Sequence, residues 1–337
     1  MMRRIPYVMT TLLLIGSLLA VGCGGTQKAE NDQTEDGLYS GKVILGSATW
    51  IGYAPLHLAV EKGFAKEEGV DLEMRTIEST SDIANAMRSE SLQGTAETLD
   101  TEVIDKSAGL DLVAVQPLCN SNGADGVVVK NAYDSLESLK GKTIALETTG
   151  GASLFWFNTM LAEKGLSMKD FDVKSMSAGD AGSAFVGGQV DAAVTWEPWL
   201  SKANHTDFGK TLVTSKEYPG LIVDSLAFRR DFAEKYPKTV QGIIRAWFRA
   251  VQYIKDHPDE AIPICAESQG MTPDEFKEEM KNIQYFDEDM TKDYLVSGKM
   301  ADIAQKMSDL WLKMKITQEP VEGKDIVDPA YYQALGK

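Results

Sequence analysis

The sequence predicts an α/β fold of two wound lobes joined by two crossings, a hinged clamshell. Short β-rich runs alternate with helical runs in two successive series. A β-rich run after turn-rich residues separates the series, and the length exceeds the usual single domain. Such alternation implies mostly parallel sheets, because parallel neighbours need a long crossover between them.

In the first series, residues 43–45 read as a buried strand and 55–62 as a helix stopped by Gly63. Residues 70–74 read as a strand, 81–88 as a helix, 95–98 as a short strand, and 101–107 as a helix ended by Gly109. A strand follows at 112–115. Residues 126–129, after Asn120-Ser121-Asn122-Gly123, form the first crossing. The second series has strands at 143–146, 173–176 and 191–195, with helices at 153–164 and 181–186. The run 221–228 is the return crossing. A long helix over Pro237–Asp256 carries proline at its first position, and helix continues to near Lys315. Lobe I is therefore expected at 41–125 and 225–337, and lobe II at 126–224.

The N-terminus reads as an export signal over residues 1–22. Arg3 and Arg4 precede an apolar run, residues 10–21, that is too short to span a bilayer. Ala20-Val21-Gly22-Cys23 resembles the bacterial lipobox, with Ala20 where leucine is usual. The resemblance implies lipidation of Cys23. The polar stretch to residue 40 reads as a flexible tether. Attachment to a membrane is expected through the lipid alone, on the extracytoplasmic side.

Net charge is −16, and loss of Arg3 and Arg4 with the leader makes it −18. That balance disfavours a nucleic-acid partner, which needs basic surface. Cys119 and Cys265 lie far apart in sequence, and a disulfide and two free buried thiols both remain open. The cysteines and histidines show no metal-ligand spacing. There is also no nucleophile elbow and no phosphate-binding loop of the expected form. The sequence therefore reads as no enzyme, with neither metal nor cofactor.

Four segments carry a family resemblance. Trp50-Ile51-Gly52-Tyr53-Ala54-Pro55-Leu56-His57-Leu58-Ala59 resembles the opening of the nitrate/sulfonate/taurine class of ABC-transporter periplasmic substrate-binding proteins. Ser138-Leu139-Lys140-Gly141-Lys142-Thr143, Gly187-Gly188-Gln189-Val190-Asp191 through Thr195-Trp196-Glu197-Pro198-Trp199, and Pro219-Gly220-Leu221-Ile222 strengthen it. The resemblance implies a type II periplasmic-binding-protein fold, a small-molecule solute, a permease and its ATPase as partners, and no catalysis. A monomer is expected.

Ligands of wound sheets sit outside the carboxyl ends of the strands. Thr98-Leu99-Asp100 and Thr195-Trp196-Glu197 each place a carboxylate just past a strand. Asp100 and Glu197 thus read as a pair for a cation with several N–H donors, with Trp50, Tyr53 and Trp196 as aromatic faces. Each also reads as a helix cap: Asp100 before a helix at Thr101, Glu197 before Pro198. The turn from Thr148 to Ser153 precedes a helix and suits an anion, or is an ordinary strand-to-helix turn. Asp224 and Asp125 lie near the crossings and either enter the cleft or cap turns. Glu97 either enters the cleft or pairs with a surface base, and solvent is favoured; Asp180 reads first as an N-cap and second as a contact, His57 as a packed or exposed helix residue, and Trp247 and Phe248 as helix packing. The expected solute is a nitrogen-rich cation, guanidinium-like, or a zwitterion such as taurine. A bare sulfonate, nitrate or other small oxoanion is the alternative. A ligand-sensing partner of a membrane receptor is an alternative of another class.

Overall fold

The computed structural model describes residues 37–336. The leader, Cys23 and most of the expected tether lie outside the described residues. Among those described, no helix is long and apolar enough to cross a membrane.

In chain order the strands are β1 (Lys42–Ser47), β2 (Asp71–Thr76), β3 (Gly94–Thr98), β4 (Leu112–Ser121), β5 (Asp125–Lys130), β6 (Thr143–Leu146), β7 (Asp172–Ser175), β8 (Ala192–Trp196), β9 (Gly209–Thr214), β10 (Val223–Arg229) and β11 (Ile283–Tyr285). They divide between two sheets. The first has the order β11-β4-β10-β3-β1-β2, the second β7-β6-β8-β5-β9. The chain passes from the first sheet to the second between β4 and β5, and returns between β9 and β10.

The sheets are mixed, not mostly parallel as the alternation predicts. β1 pairs in parallel with β2 and β3, and β6 with β7 and β8. The remaining strand pairings are antiparallel: β10 and β5, each entering from the other sheet, run back against β3 and β8, and β4, β9 and β11 extend the sheets beyond them. β9 and β11 are absent from the sequence reading. Their segments, Gly209–Thr214 and Ile283–Tyr285, are short and half-exposed at sheet edges, so little apolar pattern marks them.

The two sheets share one topology. Leu45 lies opposite Gly94 as Ile144 lies opposite Ala192. Asp224 lies opposite Thr98 as Asp125 lies opposite Trp196. Hence β3 matches β8, and β10 matches β5, residue for residue.

The helices that position the cavity are α1 (Ala54–Glu61), α2 (Leu99–Ser107), α3 (Ala152–Glu163), α4 (Ala178–Val186), α5 (Trp199–Asn204) and α6 (Pro237–Asp256). On α6, Val240, Ile243, Ile244, Trp247, Ala250, Val251 and Ile254 fall on one helical face, and all are buried. That stripe packs on α1 and, with Val43, Leu45 and Phe228, makes the core on one side of the first sheet. Trp247 is fully buried and donates its indole N–H to the Phe286 carbonyl at 2.8 Å. A second core runs from Leu99 and Leu112 through Val127 and Ile144 to Trp156, and so continues across both sheets. A third joins Val128 and Ala193 to Ala181, Phe185 and Leu200. Val127 and Val128 enter different cores because successive strand residues face opposite sides.

Candidate functional site

A cavity of about 510 Å³ opens where the strands of both sheets end. Ala48, Thr49 and Trp50 follow β1, Glu97 and Thr98 close β3, Glu147 follows β6, and Trp196 closes β8. The crossing strands add Asp125 and Asp224 at their starts. The parallel strands thus present their carboxyl ends to it, the usual ligand position in wound sheets.

Five carboxylates line this space: Glu78, Glu97, Asp125, Glu147 and Asp224. None of its lining residues is lysine, arginine or histidine. Asp224 is buried. It accepts the Tyr53 hydroxyl at 2.7 Å on one oxygen and the Cys119 thiol at 3.0 Å on the other. Gly52 makes that arrangement possible, since a Cβ there meets the Cys119 sulfur at 2.4 Å and the Trp50 ring nitrogen at 2.5 Å. Asp125 is buried beside Ser121, whose hydroxyl oxygen accepts its backbone N–H at 3.2 Å, and it faces the Ser153 hydroxyl at 3.4 Å. Glu97 accepts the Thr95 hydroxyl at 3.0 Å on one oxygen, while its other oxygen is buried without a partner. The Trp50 indole nitrogen is also buried and unpartnered.

Burial without a base shifts all three deep carboxyls upward, because desolvation disfavours the charged form. Glu97 is pushed up to about 8, with Asp105 and Asp100 adding repulsion. Asp125 rises to about 7 and Asp224 to about 6. The Tyr53 and Cys119 donors restrain the Asp224 shift by favouring its ionised form. Burial also raises Glu147.

Of the residues predicted to read a solute, Trp50, Tyr53, Ser153, Trp196 and Asp224 line the cavity, and Asp100, Thr148 and Glu197 do not. Asp100 is fully buried within the first turn of α2 and is not its N-cap; that position belongs to Thr98. Both Asp100 oxygens lack a hydrogen-bond partner, and burial pushes its carboxyl to about 7. Glu197 accepts the backbone N–H and the hydroxyl of Ser201, both at 3.0 Å, and so sits at the start of α5, which begins at Trp199. The Thr148 and Ser175 hydroxyls meet at 2.5 Å.

The sequence echo that paired Asp100 with Glu197 is one residue out of step with the ladders. Thr98 matches Trp196, so the carboxylates at equivalent places are Asp224 and Asp125. A slip of one residue moves every side chain to the other face. Glu97 does not face solvent; it is buried at the cavity wall. The sequence carries little signal for it: in Gly94-Thr95-Ala96-Glu97-Thr98 a lone glutamate among small residues reads as solvent-facing. Asp180 is not an N-cap either. Ser177 caps α4, accepting the Asp180 backbone N–H at 3.1 Å, and Ser177 itself reaches the cavity. His57 lies on α1 outside the cavity walls. Cys119 and Cys265 are both free and buried. Among the described residues, no group of three or more histidine, cysteine or acidic side chains is placed to hold a metal ion.

The anion-type turn is also present. Gly151, with φ +94°, precedes α3, and Gly151, Ala152 and Ser153 line the cavity at the helix N-terminus. A helix start of this kind favours negative charge.

The chain is similar to several proteins described as binding proteins. The model of the NMT1-like family matches residues 37–267. A putative aliphatic sulfonates-binding protein of Bacillus subtilis (strain 168) is 24% identical over 82% of this chain and 83% of its own length. The crystal structure of the periplasmic aliphatic sulphonate binding protein SsuA from Escherichia coli superposes with a TM-score of 0.73 at 17% identity, covering 85% of this chain and 92% of that one. The periplasmic nitrate-binding protein NrtA from Synechocystis PCC 6803 gives a TM-score of 0.66 at 16% identity, over 88% of each chain. The fold is that of periplasmic binding proteins.

Proposed function

The chain belongs to the NMT1-like family, and from that premise we propose that it is the solute-capturing component of an ABC-type importer, selective for a small solute that carries positive charge. A permease and its ATPase are the partners on this reading. Lobes at 41–125 with 225–337 and at 126–224 close on the solute, and Cys23 carries the lipid that holds the protein outside the cytoplasm. Cys23→Ser should move the protein from the membrane fraction to the soluble fraction.

One observation carries the charge assignment: five carboxylates and no base line the cavity. A sulfonate or nitrate enclosed there finds no base and meets like charge wherever these carboxyls are ionised, whereas a cation with several N–H groups favours their ionised form and gains charge-assisted hydrogen bonds. Trp50, Tyr53 and Trp196 add aromatic faces that attract cations.

The α3 N-terminus in the same wall favours a second reading, a zwitterion whose anionic end meets Gly151–Ser153 while its ammonium meets the carboxylates. The sulfonate named for the Bacillus and Escherichia relatives agrees with that anionic end. Calorimetry of the full chain with guanidinium, taurine, ethanesulfonate and nitrate tests both readings. Binding of guanidinium or taurine, with ethanesulfonate and nitrate inert, is the expected result. Tight binding of ethanesulfonate or nitrate alone overturns the assignment.

A further inference from the structure

Two of the cavity carboxylates occupy one place in the internal two-fold. Asp224, second residue of β10, lies opposite the last residue of β3, and Asp125, first residue of β5, lies opposite the last residue of β8. Each stands on the strand by which the chain has just crossed from the other sheet, and each is buried at the cavity wall. Their neighbours are donors, not bases: Tyr53 and Cys119 for Asp224, Ser153 for Asp125. Such donors fix the carboxylate plane and favour its ionised form, yet leave lone pairs unused, because each ionised carboxylate has about four acceptor sites.

We propose that Asp125 and Asp224 are the specificity-determining pair of the site: one from each half, they accept N–H groups of the same cation and so select a charged solute against its neutral isostere. Tyr53 and Cys119 are positioning residues that hold Asp224 for this task. The proposal rests on the cation reading above. Guanidinium and urea separate charge from shape. Both are planar and similar in size, but guanidinium has donors around its whole rim, while urea turns a carbonyl acceptor toward one wall. An acceptor facing a buried carboxylate leaves both unpaired.

The test is calorimetry of the full chain and its Asp125→Asn, Asp224→Asn and double variants, with millimolar guanidinium and urea as probes. Melting curves identify which variants fold. The parent should prefer guanidinium to urea by at least about thirtyfold, the low end of the cost of unpairing a buried charge. Each Asn variant should lose at least about thirtyfold for guanidinium and little for urea, so that the preference collapses. The second substitution should add less than the first, because both act on one solute. A folded Asn variant that keeps the parent's preference overturns the pair and leaves the cation reading standing. A parent that binds ethanesulfonate but not guanidinium overturns both. Tyr53→Phe and Cys119→Ser keep the question open to refutation should an Asn variant not fold. Tyr53→Phe removes a donor without removing charge and should cost guanidinium several-fold, with half-maximal binding moved to higher pH; Cys119→Ser keeps a donor and should retain parental behaviour. A Tyr53→Phe variant unchanged in both affinity and pH profile overturns the positioning role.

Discussion

At one matched position the two halves of the molecule diverge completely. Glu97 is the fourth residue of β3, and its counterpart on β8 is Thr195. Thr195 is buried and donates its hydroxyl to the Ala178 carbonyl at 2.7 Å, tying the strand to the start of α4. Glu97 is also buried, but one of its oxygens has no partner. The second half spends this position on its own packing. The first half holds a desolvated carboxyl at the cavity wall, a local cost that stability alone does not explain. The Asp125–Asp224 match shows what the halves share, and the Glu97–Thr195 mismatch shows where the cavity becomes asymmetric.

The largest effect that sharpens this contrast is on affinity. Glu97→Gln should weaken guanidinium binding by about 2–5 kcal/mol at pH 8.5, where the parent's carboxyl ionises most readily. The same variant should melt higher than the parent without ligand at that pH. Calorimetry and melting curves on one preparation check both signs, and a variant that loses affinity and stability together would assign Glu97 to packing.

Next comes pH. Glu97, Asp125 and Asp224 have folded values of about 8, 7 and 6. The unfolded chain releases those protons near pH 4. Their contribution to stability is therefore full below that point and lost as pH rises through 6 to 8. The ligand-free protein should melt progressively lower from pH 5 to pH 8.5. Guanidinium binding should strengthen over the same window, by up to about tenfold per pH unit for each proton displaced. Affinity that is flat in pH would show that the carboxyls stay ionised in the empty site.

A smaller effect separates the two sheets sterically. Gly94 on β3 matches Ala192 on β8. A Cβ at Gly94 meets the Ala227 backbone oxygen at 2.5 Å, so β3 and β10 approach too closely there for alanine. Gly94→Ala should cost about 1–3 kcal/mol by denaturant unfolding. Smallest of all, Thr195→Val removes one buried hydrogen bond, from the Thr195 hydroxyl to the Ala178 carbonyl. It should cost about 1 kcal/mol and leave guanidinium affinity unchanged. Loss of affinity in that variant would blur the distinction between the matched positions.

Much of the architecture was legible because hydrophobic periodicity records burial. The α6 stripe from Val240 to Ile254 and the all-apolar interior of β5 are readable without coordinates. Trp50, Tyr53 and Trp196 were legible as residues near the strand ends, and all three line the cavity there. The partner of each carboxylate was not. Register at the end of a strand is set by the ladder to a neighbour far away in sequence: Asp224 meets Thr98, and Asp125 meets Trp196. Matching Asp100 with Glu197 by chemistry alone slipped that ladder by one residue. Glu97 escaped because a lone glutamate usually marks solvent, and its burial at the cavity wall beside the Thr95 hydroxyl is set by the fold.

The exchange of strands also sets an order of assembly. Every strand of the second sheet lies within residues 125–214, whereas the first sheet needs β10, which begins at Val223. A chain emerging N-terminus first therefore carries β1, β2, β3 and β4 with no strand between β3 and β4 until the whole second sheet has appeared. The second half closes on local partners, and the first must wait for a strand encoded more than a hundred residues after β3 begins. Until then the facing edges of β3 and β4 are open to any extended chain that reaches them. The half that ends up walling the cavity with Glu97 is thus the half left unfinished for longest during synthesis.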